Sequence, residues 1–131
     1  MSGMHQAIAA LSQAGNNVIA DYVLIERQWV QECADLFADL PALFLGVHCP
    51  LEVLEQRERE RGDRTLGQAR TYFRKVHAHW IYDLDVDTSR SSPVECALQI
   101  NQRLQDGPPP QAFKMLRKGM NDCDTFAKEG S

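Results

Sequence analysis

The chain has 131 residues and carries 14 Lys and Arg against 18 Asp and Glu, a formal charge of −4 with 44% apolar residues. That length suits one soluble domain, and no sustained basic surplus exists to neutralise nucleic-acid phosphates. The strongest apolar run, Pro41 to Val47, is far short of the roughly 20 residues that span a bilayer, and Met1 to His5 lack a signal-peptide n-region, so neither nucleic acid nor membrane is an expected partner and a cytoplasmic location is expected.

In chain order, Met4, Ile8 and Leu11 recur at helical spacing, and Gly15-Asn16-Asn17 is a stop signal. Val18 to Leu24 reads as a buried strand, apolar almost throughout except for one acid, Asp21. Trp29, Cys33, Leu36, Phe37 and Leu40 trace one helical face, and Pro41 to Val47 reads as a second buried strand. Pro50 suits the first position of a helix running to Glu60, with Gly62 as its C-terminal cap. Ala69, Tyr72, Phe73, Val76 and Trp80 mark another amphipathic helix, and Tyr82 to Asp87 a third strand. Ser92-Pro93-Val94-Glu95 is a capping box opening a helix to Leu104. After Asp106-Gly107, three prolines end regular structure, and residues 106–131 read as a disordered, peripheral tail in which Phe113, Leu116 and Met120 form at most a loose helix. The compact unit is then 1–105, an α/β fold with a parallel sheet and flanking helices.

The most informative stretch is Glu55 to Arg64, E-Q-R-E-R-E-R-G-D-R, with four arginines and no lysine. Arg57, Arg61 and Arg64 fall on one stripe of a continuous helix, where like charges repel unless an anion lies against them. Arginine forks suit phosphate oxygens; the competing reading is a solvated face with Glu–Arg pairs, with Gly62 interrupting the stripe. Asp21, an acid near the end of an apolar strand, holds Mg²⁺ through water, positions a nucleophile, or has reached a loop and caps the next element. Asp83, Asp85 and Asp87 alternate towards the wet side of an edge strand, and a calcium loop is excluded because Thr88 stands where it needs glycine. His77 and His79 fall on roughly opposite helical faces, and His5 and His48 stand alone. The cysteines at 33, 49, 96 and 123 form no C-x-x-C pair and read as reduced, with 33, 49 and 96 in apolar segments. No lysine follows a glycine, so the phosphate loop G-x-x-x-x-G-K-[ST] is absent from these residues.

Several of these features occur together in one family. The strand V-I-A-D-Y-V, the strand L-F-L-G-V-H-C at 43–49, R-E-x-x-R-G-D-R from Arg57 to Arg64, V-H at 76–77, Y-D-L-D-V-D-T at 82–88 and S-P-V-E-C-A at 92–97 resemble the chloramphenicol phosphotransferase family of small-molecule kinases, over most of residues 4–104. The resemblance implies a P-loop kinase-like, three-layer fold and transfer of the γ-phosphoryl group of ATP, with Mg²⁺, to a small-molecule hydroxyl. By position, Arg61 and Arg64 are lid arginines and Arg57 supports them. Asp21 is the carboxylate near Mg²⁺ and the phosphates, and Thr88 and Ser89 lie near the adenine.

The family's first strand, phosphate loop and substrate-binding segment have no counterpart in these residues, so the fold is expected to be incomplete at its N-terminus and the chain inactive alone. In P-loop kinases the loop-bearing strand lies between the strand with the acid and the next one, so strands 18–24 and 41–47 are expected to flank a gap. Three explanations follow: a kinase whose front part is missing from the chain, a non-catalytic remnant that binds another chain supplying the missing strand, or an independent protein binding an anionic ligand through its arginines; the open edge also makes self-association of the chain an expectation. An in-frame phosphate-loop motif upstream of Met1 in the gene favours the first.

Overall fold

Residues 2–62, 67–76 and 81–119 are described by the computed structural model, and they fall into two units: residues up to Phe44 together with those from Pro109, and Leu45–Pro108.

In the first unit, α1 (Ser2–Gln13) ends before Gly15, whose φ of 92° suits only a residue without a side chain. Its buried residues are His5 and Ala9, whereas Met4 and Leu11 are exposed, so the packed face is rotated from the one the apolar spacing implied. Helix α1 packs on α2 (Arg27–Phe37), which buries Val30, Cys33, Ala34 and Phe37. The fully buried His5 imidazole is hydrogen-bonded through Nδ1 to Glu32 Oε1 at 2.8 Å and lies against the Tyr22 ring, whose hydroxyl is 3.3 Å from Cys33 Sγ. Burial pushes the Cys33 thiol up to about 11, which keeps it protonated and unreactive. Cys33, Cys49 and Cys96 are all free thiols.

The strand expected over Val18–Leu24 does not form. Residues 16–25 carry no regular secondary structure and have no ladder partner among the described residues. Tyr22 and Leu24 are half-buried while Ile19 is 98% exposed and Asp21 and Val23 are also exposed. The alternation of a strand is present in this segment without the neighbour whose N–H and C=O groups would complete it.

The segment after the three prolines is more ordered than a disordered tail: residues 112–119 form a helix, α6, that buries Ala112, Phe113 and Leu116. Phe113 stacks on Phe44 (centroids 4.6 Å apart) and meets Phe37 edge-on (5.5 Å). Arg117 grips Asp39 with both terminal nitrogens, at 3.0 and 3.2 Å, and holds that carboxyl below the usual carboxylate range.

The second unit is the α/β part: β1 (Leu45–His48), α3 (Leu51–Arg61), α4 (Gln68–Val76), β2 (Leu84–Asp87) and α5 (Pro93–Asp106). Strands β1 and β2 pair in parallel with Leu45 opposite Leu84 and His48 opposite Asp87. Leu45, Val47, Leu84 and Val86 therefore share one face, and Gly46, His48, Asp85 and Asp87 the other. The expected parallel sheet with flanking helices holds as this small pair, with α5 packed on β2 and α3 on α4. Both helix boundaries read from caps are present. Gly62 ends α3 in the left-handed region at φ 68°, and Ser92 with Glu95 closes a capping box in front of Pro93. No helix of the described residues is long and apolar enough to cross a membrane.

Candidate functional site

The C-terminal ends of β1 and β2 lie side by side, and in open parallel sheets this is the end at which ligands bind. The chain leaves β2 in a tight turn centred on Thr88, and every polar atom of that residue is engaged. Its N–H donates to His48 O (3.0 Å), its hydroxyl donates to the same carbonyl (3.4 Å), and Arg57 donates from Nη1 to Oγ1 and from Nη2 to the carbonyl oxygen, both at 2.9 Å. Arg57 lies on α3, which starts just after β1 with Pro50 at its N-cap position, and Glu52 in its first turn and Arg59 and Arg61 in its last match the helix dipole. Next to Thr88, Asp87 Oδ1 accepts from Ser89 N–H (2.8 Å) and Oγ–H (2.5 Å), bonds that hold the Asp87 carboxyl below its ordinary range.

The polar sheet face carries a second pair. His48 Nε2 and Asp85 Oδ1 are 2.5 Å apart, and the Tyr82 ring meets the imidazole edge-on at 5.7 Å. Burial, then the Asp85 charge, pushes the Tyr82 phenol up to about 12. Gly46 makes room for this cluster: a Cβ there would lie 2.6 Å from Tyr82 Cδ2 and 2.7 Å from both Asp85 Oδ1 and His48 Nε2.

Of the residues singled out in the sequence, Arg57, Thr88 and Ser89 come together here. Arg61 lies one turn beyond Arg57 at the C-terminal end of α3. The helix stops there, so the stripe expected through Arg64 is broken at Gly62, and Arg64 itself lies outside the described residues, as do His77 and His79. Asp21 belongs to the other unit and is exposed, so it is not the buried strand acid the sequence suggested. His48 does not stand alone, and the Asp85 partner was missed; the available signal was an acid alternating on one strand and a histidine ending another. Glu58, in the middle of a charge run, is buried, which nothing in the sequence signalled. Among the described residues, no three His, Cys, Asp or Glu side chains converge on a metal position.

A family model described as chloramphenicol phosphotransferase-like protein matches residues 1–105. Two Mycobacterium tuberculosis proteins, from strains CDC 1551 / Oshkosh and ATCC 25618 / H37Rv, are each named "Putative O-phosphotransferase" and are 37% identical to the chain over 118 residues. The match covers 90% of this chain and 52% of each relative, so the chain spans about half the length of the curated relatives it matches. With four-fifths of its residues under the family model and this level of identity, the chain belongs to the chloramphenicol phosphotransferase-like family.

Proposed function

We propose that the chain carries the arginine-bearing part of an ATP-dependent O-phosphotransferase of the chloramphenicol phosphotransferase type, transferring phosphoryl to a hydroxyl of a small molecule. The single observation that carries this reading is the Arg57 fork on Thr88 at the C-terminal end of a parallel strand pair, the end at which α/β sheets take their ligands. Family membership and the relatives' names support it.

Arginine forks suit the oxygens of a polyphosphate. Because Arg57 spends both terminal nitrogens on Thr88, its part is to hold the turn, and Arg61 with Arg64 are the arginines assigned to the transferring phosphoryl group. Thr88 and Ser89 are assigned to the nucleotide end of the site. ATP bound with Mg²⁺ supplies the phosphoryl group. Asp21, exposed to solvent, suits contact with a hydrated Mg²⁺, which keeps several waters and takes only one or two carboxylates. Crosslinking with an ATP analogue bearing a photoreactive azide on its adenine tests this assignment.

A second reading, in which another chain or a second copy supplies a strand, is favoured by one observation: Ile19 is 98% exposed on a segment rich in β-branched residues that pairs with no strand among the described residues. The purified chain is accordingly expected to self-associate, seen by light scattering as a mass above 14.8 kDa. A monomer that melts in one sharp transition contradicts it.

A further inference from the structure

Helix α3 buries one residue, and that residue is a carboxylate: Glu58 is 8% exposed. A buried carboxylate is unfavourable unless its oxygens are hydrogen-bonded. Here Oε2 accepts from Gly67 N–H at 3.2 Å and Oε1 from Ala69 N–H at 3.1 Å. These amides open α4, where the first N–H groups have no acceptor within their own helix and where the dipole favours an anion. Gly67 takes φ 94°, a conformation that lets its N–H present itself to Glu58 without side-chain strain. At the other end of the connection, the Glu58 carbonyl accepts from Gly62 N–H (3.4 Å). One residue therefore fastens both the point where the chain leaves α3 and the point where α4 begins. Arg70 Nε, 3.2 Å from Glu55 Oε1, adds an exposed second tie between the same helices.

We infer that Glu58 is a positioning residue: it holds the first turn of α4 against the C-terminal end of α3 and so fixes the surroundings of Arg61. The role rests on the reading of Arg61 as phosphate-facing, and Glu58 itself touches no substrate.

Amide hydrogen exchange and titration with inorganic tripolyphosphate, both on the full chain, test it. In the wild-type chain Gly67 and Ala69 are expected to exchange at least about tenfold more slowly than in a free peptide, although they sit where helical amides are ordinarily unprotected. Glu58→Gln replaces one of two acceptors by a donor; it should release at least one of these amides while Thr88 and Cys96 keep their protection. Arg61→Gln should weaken tripolyphosphate binding about tenfold, Glu58→Gln should do likewise, and the double variant should lose little more than either alone, the signature of residues acting as one unit. Glu58→Asp, with the charge kept but the reach shortened, is expected to give the same losses and serves if Glu58→Gln does not fold. Unprotected amides in the wild type overturn the inference, as does a Glu58→Gln chain that binds like wild type while Arg61→Gln does not. A wild-type chain that fails to bind tripolyphosphate overturns the arginine reading and the positioning role with it, even where both amides are protected.

Discussion

The purified 131-residue chain is expected to transfer no measurable phosphate from ATP to chloramphenicol. Phosphoryl transfer asks little covalent chemistry of a protein and depends on positioning and on charge stabilisation. The elements that supply most of both in P-loop enzymes are the glycine-rich cradle and its lysine. In these residues the lysines stand at 75, 114, 118 and 128, and none follows a glycine. An arginine acting on the transition state is worth roughly a thousandfold or more in rate, but only on a triphosphate already held in line. The site at the ends of β1 and β2 offers the Thr88 turn held by Arg57, and the described residues offer no converging acidic cluster to assist. The assay should therefore read at the level of the reaction without protein. Turnover by the chain alone, lost on Arg61→Gln, contradicts the expectation and shows that the arginines suffice.

The largest stability effect is expected at Phe113. Its ring is almost wholly buried, stacked on Phe44 and set edge-on to Phe37, so Phe113→Ala removes both aromatic contacts and leaves a cavity between α2 and α6. Substitutions of this kind cost about 3 kcal/mol or more, a large share of the stability of a small domain. The Arg117–Asp39 pair is solvent-exposed, and removing it with Arg117→Met is expected to cost far less than Phe113→Ala. Urea unfolding of the two variants separates the contributions. A Phe113→Ala shift no larger than that of Arg117→Met contradicts a docked α6.

Elements whose cause is local were legible in the sequence. The αL glycine at 62, the Ser92–Glu95 capping box and the apolar alternation in 45–47 and 84–86 depend on residues a few positions apart, and the structure has them. What was not legible depends on distant partners. Val18 to Leu24 has strand composition, yet a strand exists only where a neighbour offers its backbone, and composition cannot supply that neighbour. The His48–Asp85 pair joins residues 37 positions apart, and Arg57 meets Thr88 across 31. Glu58 looked like any other charge in E-R-E-R until the start of α4 was placed against it. The three prolines at 108–110 rightly interrupt regular structure, but they say nothing of what Phe113 finds beyond them.

The most direct measurement is photolabelling of the intact chain with the adenine-azide analogue of ATP, followed by tryptic mapping. Label that ATP competes away is predicted on the peptide of residues 76–90, which holds Thr88 and Ser89, and it should fall sharply in Arg57→Lys, whose single ammonium cannot make the two-pronged contact with Thr88. Labelling that ATP does not compete, or competed labelling that avoids residues 76–90, contradicts a nucleotide site at the ends of β1 and β2.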